Sequence, residues 1–334
     1  MAINNEVAIK SNKWRISAIA ILGILAVLGI AISLAKGAVE IEFSEIIKLF
    51  FLHDIGINSQ IIYNIRLPRT LVAICVGMNL AVAGAVLQAI MRNPLADPHI
   101  IGISSGAGLA GIATMILLPK LEYLITPISF VGAMFAAAII YILAWKDGIR
   151  PVRIILAGVA VSAFFGSGIS ALMIFYSDRI HSALMWMVGG LAARSWPHVD
   201  IILPYTIVGF ILAYVGARYL NILQLGDDIA KSLGVNVEVV RFSMTAVAAI
   251  LAASSVSVVG LLGFVGLIVP HAARLLVGSD YRFLLPATAL LGITVITFSD
   301  TFARVFFAPI ELPVGIIMAF VGAPFFLYLL RREL

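Results

Sequence analysis

The sequence predicts an all-α integral membrane fold, a single polytopic domain over residues 1–334 built from about ten transmembrane helices. Of the 334 residues, 62% are hydrophobic and only 12% charged, against roughly 45–50% and about 25% in soluble domains. The mean hydropathy of +1.11 comes from long apolar runs spread over the whole chain, so neither one core nor one anchor accounts for it. Lys and Arg gather in the loops between those runs.

A backbone group left unsatisfied in lipid costs several kcal/mol, so a span needs about 20 apolar residues. The first run, 16–35, follows Lys10, Lys13 and Arg15 and superficially resembles a signal peptide. Its length of about twenty residues and the lack of an A-x-A-like site favour a retained span. The second, 67–91, opens on Arg66-Leu-Pro-Arg69, where Pro68 suits a first helical turn. Two arginines there either snorkel to head groups or dock carboxylates of an external partner. Asn93-Pro94-Leu-Ala-Asp97-Pro98 then makes a tight reversal with capping side chains. In the third run, 99–118, Gly102 and Gly106 allow another helix backbone to approach closely.

The fourth and fifth runs cover 124–145 and 152–175. The apolar stretch from Met185 to Trp196 is broken by Gly189, Gly190 and Pro197 and reads as a turn or partial helix. The sixth run is 199–218. After it, Leu225 to Asn236 interrupts the apolar pattern, with Asp227 and Asp228 suited to a helix N-terminus and Gly234 to its C′ position. A short amphipathic helix in the cytosol results, either an ordinary connection or a surface for a soluble partner.

The seventh run, 240–259, carries Ser254, Ser255 and Ser257, polar groups that suit interhelical hydrogen bonds, as do Asn79 and Gln88 of the second. The eighth, 264–277, is about 21 Å long at 1.5 Å per residue, too short to face lipid throughout, so it should pack inside the bundle. The ninth, 283–306, places Asp300 and Arg304 one turn apart as an ion pair. The tenth is 312–330.

An even number of spans puts both termini on one side, and fourteen of the 22 Lys and Arg fall there. Excess positive charge makes that side cytoplasmic and places Arg66, Arg69 and Arg304 at the outer mouth. Cys75 is alone, so no intramolecular disulfide forms. His53, His99, His181, His198 and His271 show no i,i+4 or H-E-x-x-H pairing, so no metal ligand, catalytic residue or cofactor site is expected. No G-x-x-x-x-G-K-[ST] phosphate loop occurs, so the chain should not hydrolyse ATP itself. A net charge of +5 without a basic stripe gives no case for nucleic acid.

Arg66-Leu-Pro-Arg69, Gly84-Ala-Val-Leu-Gln88, Arg92-Asn-Pro-Leu-Ala-Asp-Pro98 and Gly102-Ile-Ser-Ser-Gly-Ala107 together resemble the FecCD-type, BtuC-like permeases of ABC importers. The likeness continues through Leu225 to Gly234, Gly263 to Arg274, Glu311-Leu-Pro-Val-Gly315 and Gly322-Ala-Pro324, covering about 60–332 in order. The resemblance implies a type II importer permease in the cytoplasmic membrane, paired with a second permease subunit, expected to be a copy of itself. Two cytoplasmic ABC ATPases and an external substrate-binding protein complete the assembly it implies. It assigns Gly226, Asp227, Asp228, Ala230, Lys231, Leu233 and Gly234 to ATPase coupling, and Arg66, Arg69 and Arg304 to docking of the binding protein. The translocation path is not assigned. Ferric siderophore is the expected cargo on family frequency, with haem or cobalamin as alternatives. An ion-coupled secondary transporter is the alternative of another class, and Asp300, off-centre in its span, is a poor coupling carboxylate.

Overall fold

The computed structural model describes residues 11–37, 41–42, 45–46, 56–99, 102–146, 151–308 and 310–333. Lys10, Lys48, His53 and Arg150 lie outside them. Each of the ten apolar runs finds a helix. The order is α1 Asn12–Ala35, α2 Ile57–Met91, α3 Ile103–Leu117, α4 Glu122–Ala144, α5 Pro151–Phe175, α6 Ile180–Val188 and α7 Trp196–Val215. It continues with α8 Ala217–Gln224, α9 Asp227–Ser232, α10 Val237–Val259, α11 Val265–Val277, α12 Tyr281–Val305 and α13 Val314–Glu333.

The second rod begins ten residues before the expected 67, at Ile57. Pro68 offers no N–H to the Asn64 carbonyl, and just ahead of it the helix widens into a π turn over Ile62–Arg66. The third helix starts four residues late, because Asn93 and Asp97 fold their carboxamide and carboxylate back onto Leu95 N at 2.9 Å and His99 N at 2.7 Å. These two Asx turns carry the chain into the bundle, where Asp97 is buried. Gly102, at φ +99°, then opens α3.

α2 and α10 are the most buried spans, while α4, α5 and α7 leave most of their surface to lipid. Small residues explain the centre. Gly77 meets the Gly292 carbonyl and Gly84 that of Gly266, so a Cβ at either position would strike backbone.

α11 has 13 residues and buries Val265, Gly266, Leu267, Val269, Pro270, Ala273 and Val277, while Leu275 and Leu276 stay exposed. One face of it is thus within the bundle along its whole length, and the face with Leu275 and Leu276 is not. Pro270 cannot donate to the Gly266 carbonyl four residues earlier. Gln88 Nε2 of α2 does so instead, at 3.3 Å from Gly266 O and 3.4 Å from Leu267 O, and Gln88 Oε1 accepts from Arg274 at 3.0 Å. Replacing Gln88 by Leu should destabilise the protein by about 1–3 kcal/mol, the cost of an unsatisfied buried carbonyl. Most of that loss should vanish in a Pro270→Ala background, whose new N–H satisfies Gly266. Thermal unfolding of the four variants checks it, and additive effects would show that the carbonyl is not what Gln88 serves.

The stretch after Met185 forms the end of α6 and a turn, as expected of a partial helix. Its backbone is stitched to two neighbours: Leu261 N donates to Trp186 O at 3.1 Å, Gly190 N to Val259 O at 2.9 Å and Gly315 N to Gly189 O at 3.1 Å. Non-helical backbone at this depth is tolerated because its polar groups are paired in this way. At the opposite end, Arg282 and Asn221 hydrogen-bond the Asp280 carboxyl and hold it down at about 2. Asp280 stays ionised and lies 3.8 Å from Arg15, tying α1 to α12.

Candidate functional site

Two polar constellations stand out against the apolar bundle. The first is the segment from α8 to the start of α10. Gly226 takes φ +108° to start α9, and Leu233 closes it. Gly234, at φ +78°, donates to Lys231 O at 2.9 Å while Val235 donates to Ala230 O at 3.0 Å, the paired bonds of a Schellman cap. Asp227 and Asp228 sit in the first turn and Lys231 in the last, as the macrodipole favours. Ala230 packs inward against Leu223 and Val237.

The two aspartates part company. Asp228 is exposed, whereas Asp227 turns inward and accepts from Arg241 Nη2 at 2.9 and 3.1 Å, with Arg92 at 3.6 Å. Arg241 is 1% exposed, so α9 is pinned to the first turn of α10 through a buried guanidinium and to the end of α2 through Arg92. Leu225 before α9, Ile229 within it and Leu233 at its C-cap are 56%, 50% and 58% exposed. A polar handle is thus flanked by bare apolar side chains, which soluble surfaces seldom leave uncovered when they cluster.

The second constellation lies at the other end of the bundle, where Arg66, Arg69 and Arg304 come together as the sequence suggested. Their surroundings differ from those expected of a docking surface: the three are only 4%, 7% and 6% exposed. Arg66 Nη1 donates to Leu34 O at 2.8 Å and Ala35 O at 2.7 Å, capping α1. Arg69 grips both Asp300 oxygens, at 3.1 and 2.9 Å, and donates to Glu311 at 2.8 Å. Arg304 pairs with Asp300 at 3.2 Å, as its i,i+4 spacing promised, and donates to Ser33 O at 3.1 Å. The arginines therefore clasp α1, α2 and α12 together, and of the charged groups in the clasp only Glu311 is substantially exposed.

Asn79 reaches Ser254 across α2 and α10 at 3.3 Å, the interhelical role assigned to it. Among the described residues no group of three or more His, Cys, Asp or Glu is placed to hold a metal. Sequence reasoning missed Arg241 and Glu311 as partners of the named residues. Arg241 had one available signal, a guanidinium one turn into an apolar span with acidic Asp227 and Glu238 nearby.

Among the described residues, seven long apolar helices and three shorter ones define a multi-pass membrane protein. Residues 24–332 match the model of the FecCD transport family, and the chain belongs to that family. It is 40% identical over 309 residues, 92% of each chain, to the Fe(3+)-citrate import system permease protein YfmD of Bacillus subtilis. It is 39% identical over 310 residues to the iron(3+)-hydroxamate import system permease protein FhuB of the same organism, covering 92% of this chain and 80% of that one. The cobalamin import system permease protein BtuC of Halobacterium salinarum is 44% identical over 272 residues, 81% of this chain and 73% of that one. A solved inward-facing metal-chelate type ABC transporter superposes with a TM-score of 0.85 at 30% identity, covering 95% of this chain and 99% of the other.

Proposed function

We propose that this chain is the membrane-spanning subunit of an ATP-driven importer that carries a ferric chelate across the cytoplasmic membrane, with both termini in the cytosol. It works beside a second copy of itself, with two ATPase subunits on the cytosolic side and an external substrate-binding protein. The observation that carries this reading is a short helix, anchored from beneath by Arg241 and Asp227, that leaves Ile229 and the flanking Leu225 and Leu233 bare. A chain without a phosphate loop needs such a grip on whatever burns the nucleotide.

Closure of the ATPase pair displaces α9, and the ion pairs deliver that displacement to α10 and α2, the two most buried rods. α10 runs on to the turn stitched to the end of α6 and the start of α13, so motion at the handle reaches the middle of the bundle. A cavity of about 350 Å³ opens there between Met187, Val188, Phe264, Gly315, Ala319 and Phe320. Its wall, mostly apolar with His99 as the one titratable side chain among the described residues, suits a path whose cargo must also leave. The external protein docks at the outer clasp by offering a carboxylate that replaces Glu311 on Arg69.

Proteoliposomes holding this chain with its ATPase subunits, supplied with the substrate-binding protein on the outer side, should take up radiolabelled ferric citrate or a ferric hydroxamate only with ATP. The chain alone should show no uptake under a proton or sodium gradient. Gradient-driven uptake without the ATPase would replace this reading with an ion-coupled carrier.

A further inference from the structure

The outer end of the bundle holds a cavity of about 1210 Å³ that the transport reading leaves unused. It is walled by α3, α4, α6 and the head of α7, and lies between exposed Glu122 and Asp178 and the buried hydroxyl of Ser257. Into it project Arg194 and His198.

Arg194 is a cation that no carboxylate among the described residues pairs with. Its Nε is shut off from solvent and has no hydrogen-bond partner, and Nη1 meets only a ring nitrogen, His198 Nε2 at 3.1 Å. Burial pushes the Arg194 guanidinium below its ordinary pKa, with no carboxylate to offset it. The rest of the guanidinium keeps surface open to the cavity, so it is a cation without a carboxylate of its own that an anion can reach.

The neighbouring histidine adds a second, independent anomaly. His198 Nδ1 accepts from the Ser195 backbone N–H at 3.2 Å, which leaves the proton of a neutral ring on Nε2, facing another N–H on Arg194. In the other tautomer Nε2 accepts from Arg194 and Nδ1 donates to Ser195 Oγ, also at 3.2 Å, so the Ser195 N–H at the head of α7 loses its acceptor. Either way one donor is left over. Both anomalies sit at the N-terminus of a 20-residue helix, whose dipole favours negative charge.

We propose that Arg194 and His198 form an oxyanion site in this outer vestibule, which holds a carboxylate of the incoming chelate before it enters the bundle. This rests on the chelate-importer reading above. A cavity of this size takes a small molecule whole, whereas a single protein side chain would fill little of it. The carboxylates at the rim do not cancel the site. Asp178 lies 3.6 Å from Arg179, which also donates to the Ile116 carbonyl, and Glu122 is solvent-screened.

The test is binding to the purified permease in phosphatidylcholine nanodiscs, using ferric citrate, free citrate, inorganic phosphate and an uncharged ferric trihydroxamate. The wild type should bind citrate, and Arg194→Gln should weaken it by about 10- to 100-fold, the worth of one charge-assisted contact. Arg194→Lys should retain part of the affinity, and hydroxamate binding should be equal in all three. Failure of the wild type to bind either citrate or phosphate overturns the site. So does an Arg194→Gln effect that is absent, or that falls equally on the uncharged chelate together with a lowered melting temperature. Loss of citrate binding in phosphatidylglycerol nanodiscs would give the site to a lipid phosphate and overturn its assignment to the chelate. ATP-driven uptake by the wild type is measured separately, so the site can fail while the importer reading stands.

Discussion

Asp300→Ala should cost the folded protein about 3–5 kcal/mol, the penalty of removing one partner from a buried ion pair. Asp300 is 1% exposed and is the carboxylate shared by Arg69 and Arg304, two guanidiniums that are themselves nearly buried. Without it Arg69 keeps only Glu311, and Arg304 keeps neutral oxygens of Ser33 and Thr301. Against a typical total stability of about 5–15 kcal/mol such a loss is large, so the variant should accumulate poorly and unfold at lower temperature. Asp300→Asn keeps the shape and should fall between the two. Glu311→Ala should be mild, because that carboxylate is partly in water. If Asp300→Ala unfolds like the wild type, the three arginines do not clasp α1, α2 and α12 together, and their burial has another origin.

How far the sequence foretold this arrangement depends on the range of each interaction. Local patterns were legible: the ten apolar runs, the Schellman glycine at 234, the Asx turns of Asn93 and Asp97, and the i,i+4 pair Asp300 and Arg304 all rest on spacings within a turn or two. The fate of Arg69 was not. Its partners lie 231 and 242 residues away, and nothing in Arg66-Leu-Pro-Arg69 tells a guanidinium that faces an external carboxylate from one that finds an internal one. Burial of Asp97 is equally non-local, since its loop packs against Gly266, 169 residues further along the chain. Likewise the eighth run announced its shortness, but not that Gln88 would supply the hydrogen bond Pro270 withholds. At the handle, spacing placed both aspartates in the first turn of α9, and tertiary contact then turned one inward and left the other in solvent.

That division makes Asp227→Ala the most telling change at the handle. A six-residue helix has no stability of its own, so α9 persists only through what holds it. The holds are the small cluster of Leu223, Ala230 and Val237, the bonds from Arg241 Nη2 to both Asp227 oxygens, and Arg92 at 3.6 Å. Asp227 is one-third exposed, so losing the bond should cost less than a fully buried pair, about 2–3 kcal/mol, and Glu238 at 3.8 Å is a distant substitute. The loss should appear as local opening, with amides from Ile229 to Val235 exchanging about 30- to 150-fold faster while the bundle stays intact. Transport should fall at least about tenfold, with ATP hydrolysis by the assembled complex retained, because a frayed handle no longer transmits the stroke. Replacing both partners, Asp227→Leu with Arg241→Met, removes the charges together and should restore exchange protection and much of the uptake, since a buried pair exchanged for apolar groups is often neutral. Asp228→Ala should leave exchange protection of α9 unchanged, because that carboxylate is in solvent and holds nothing among the described residues. Uptake by Asp227→Ala at the wild-type rate would mean that the handle carries no force, whatever grips its bare apolar side chains.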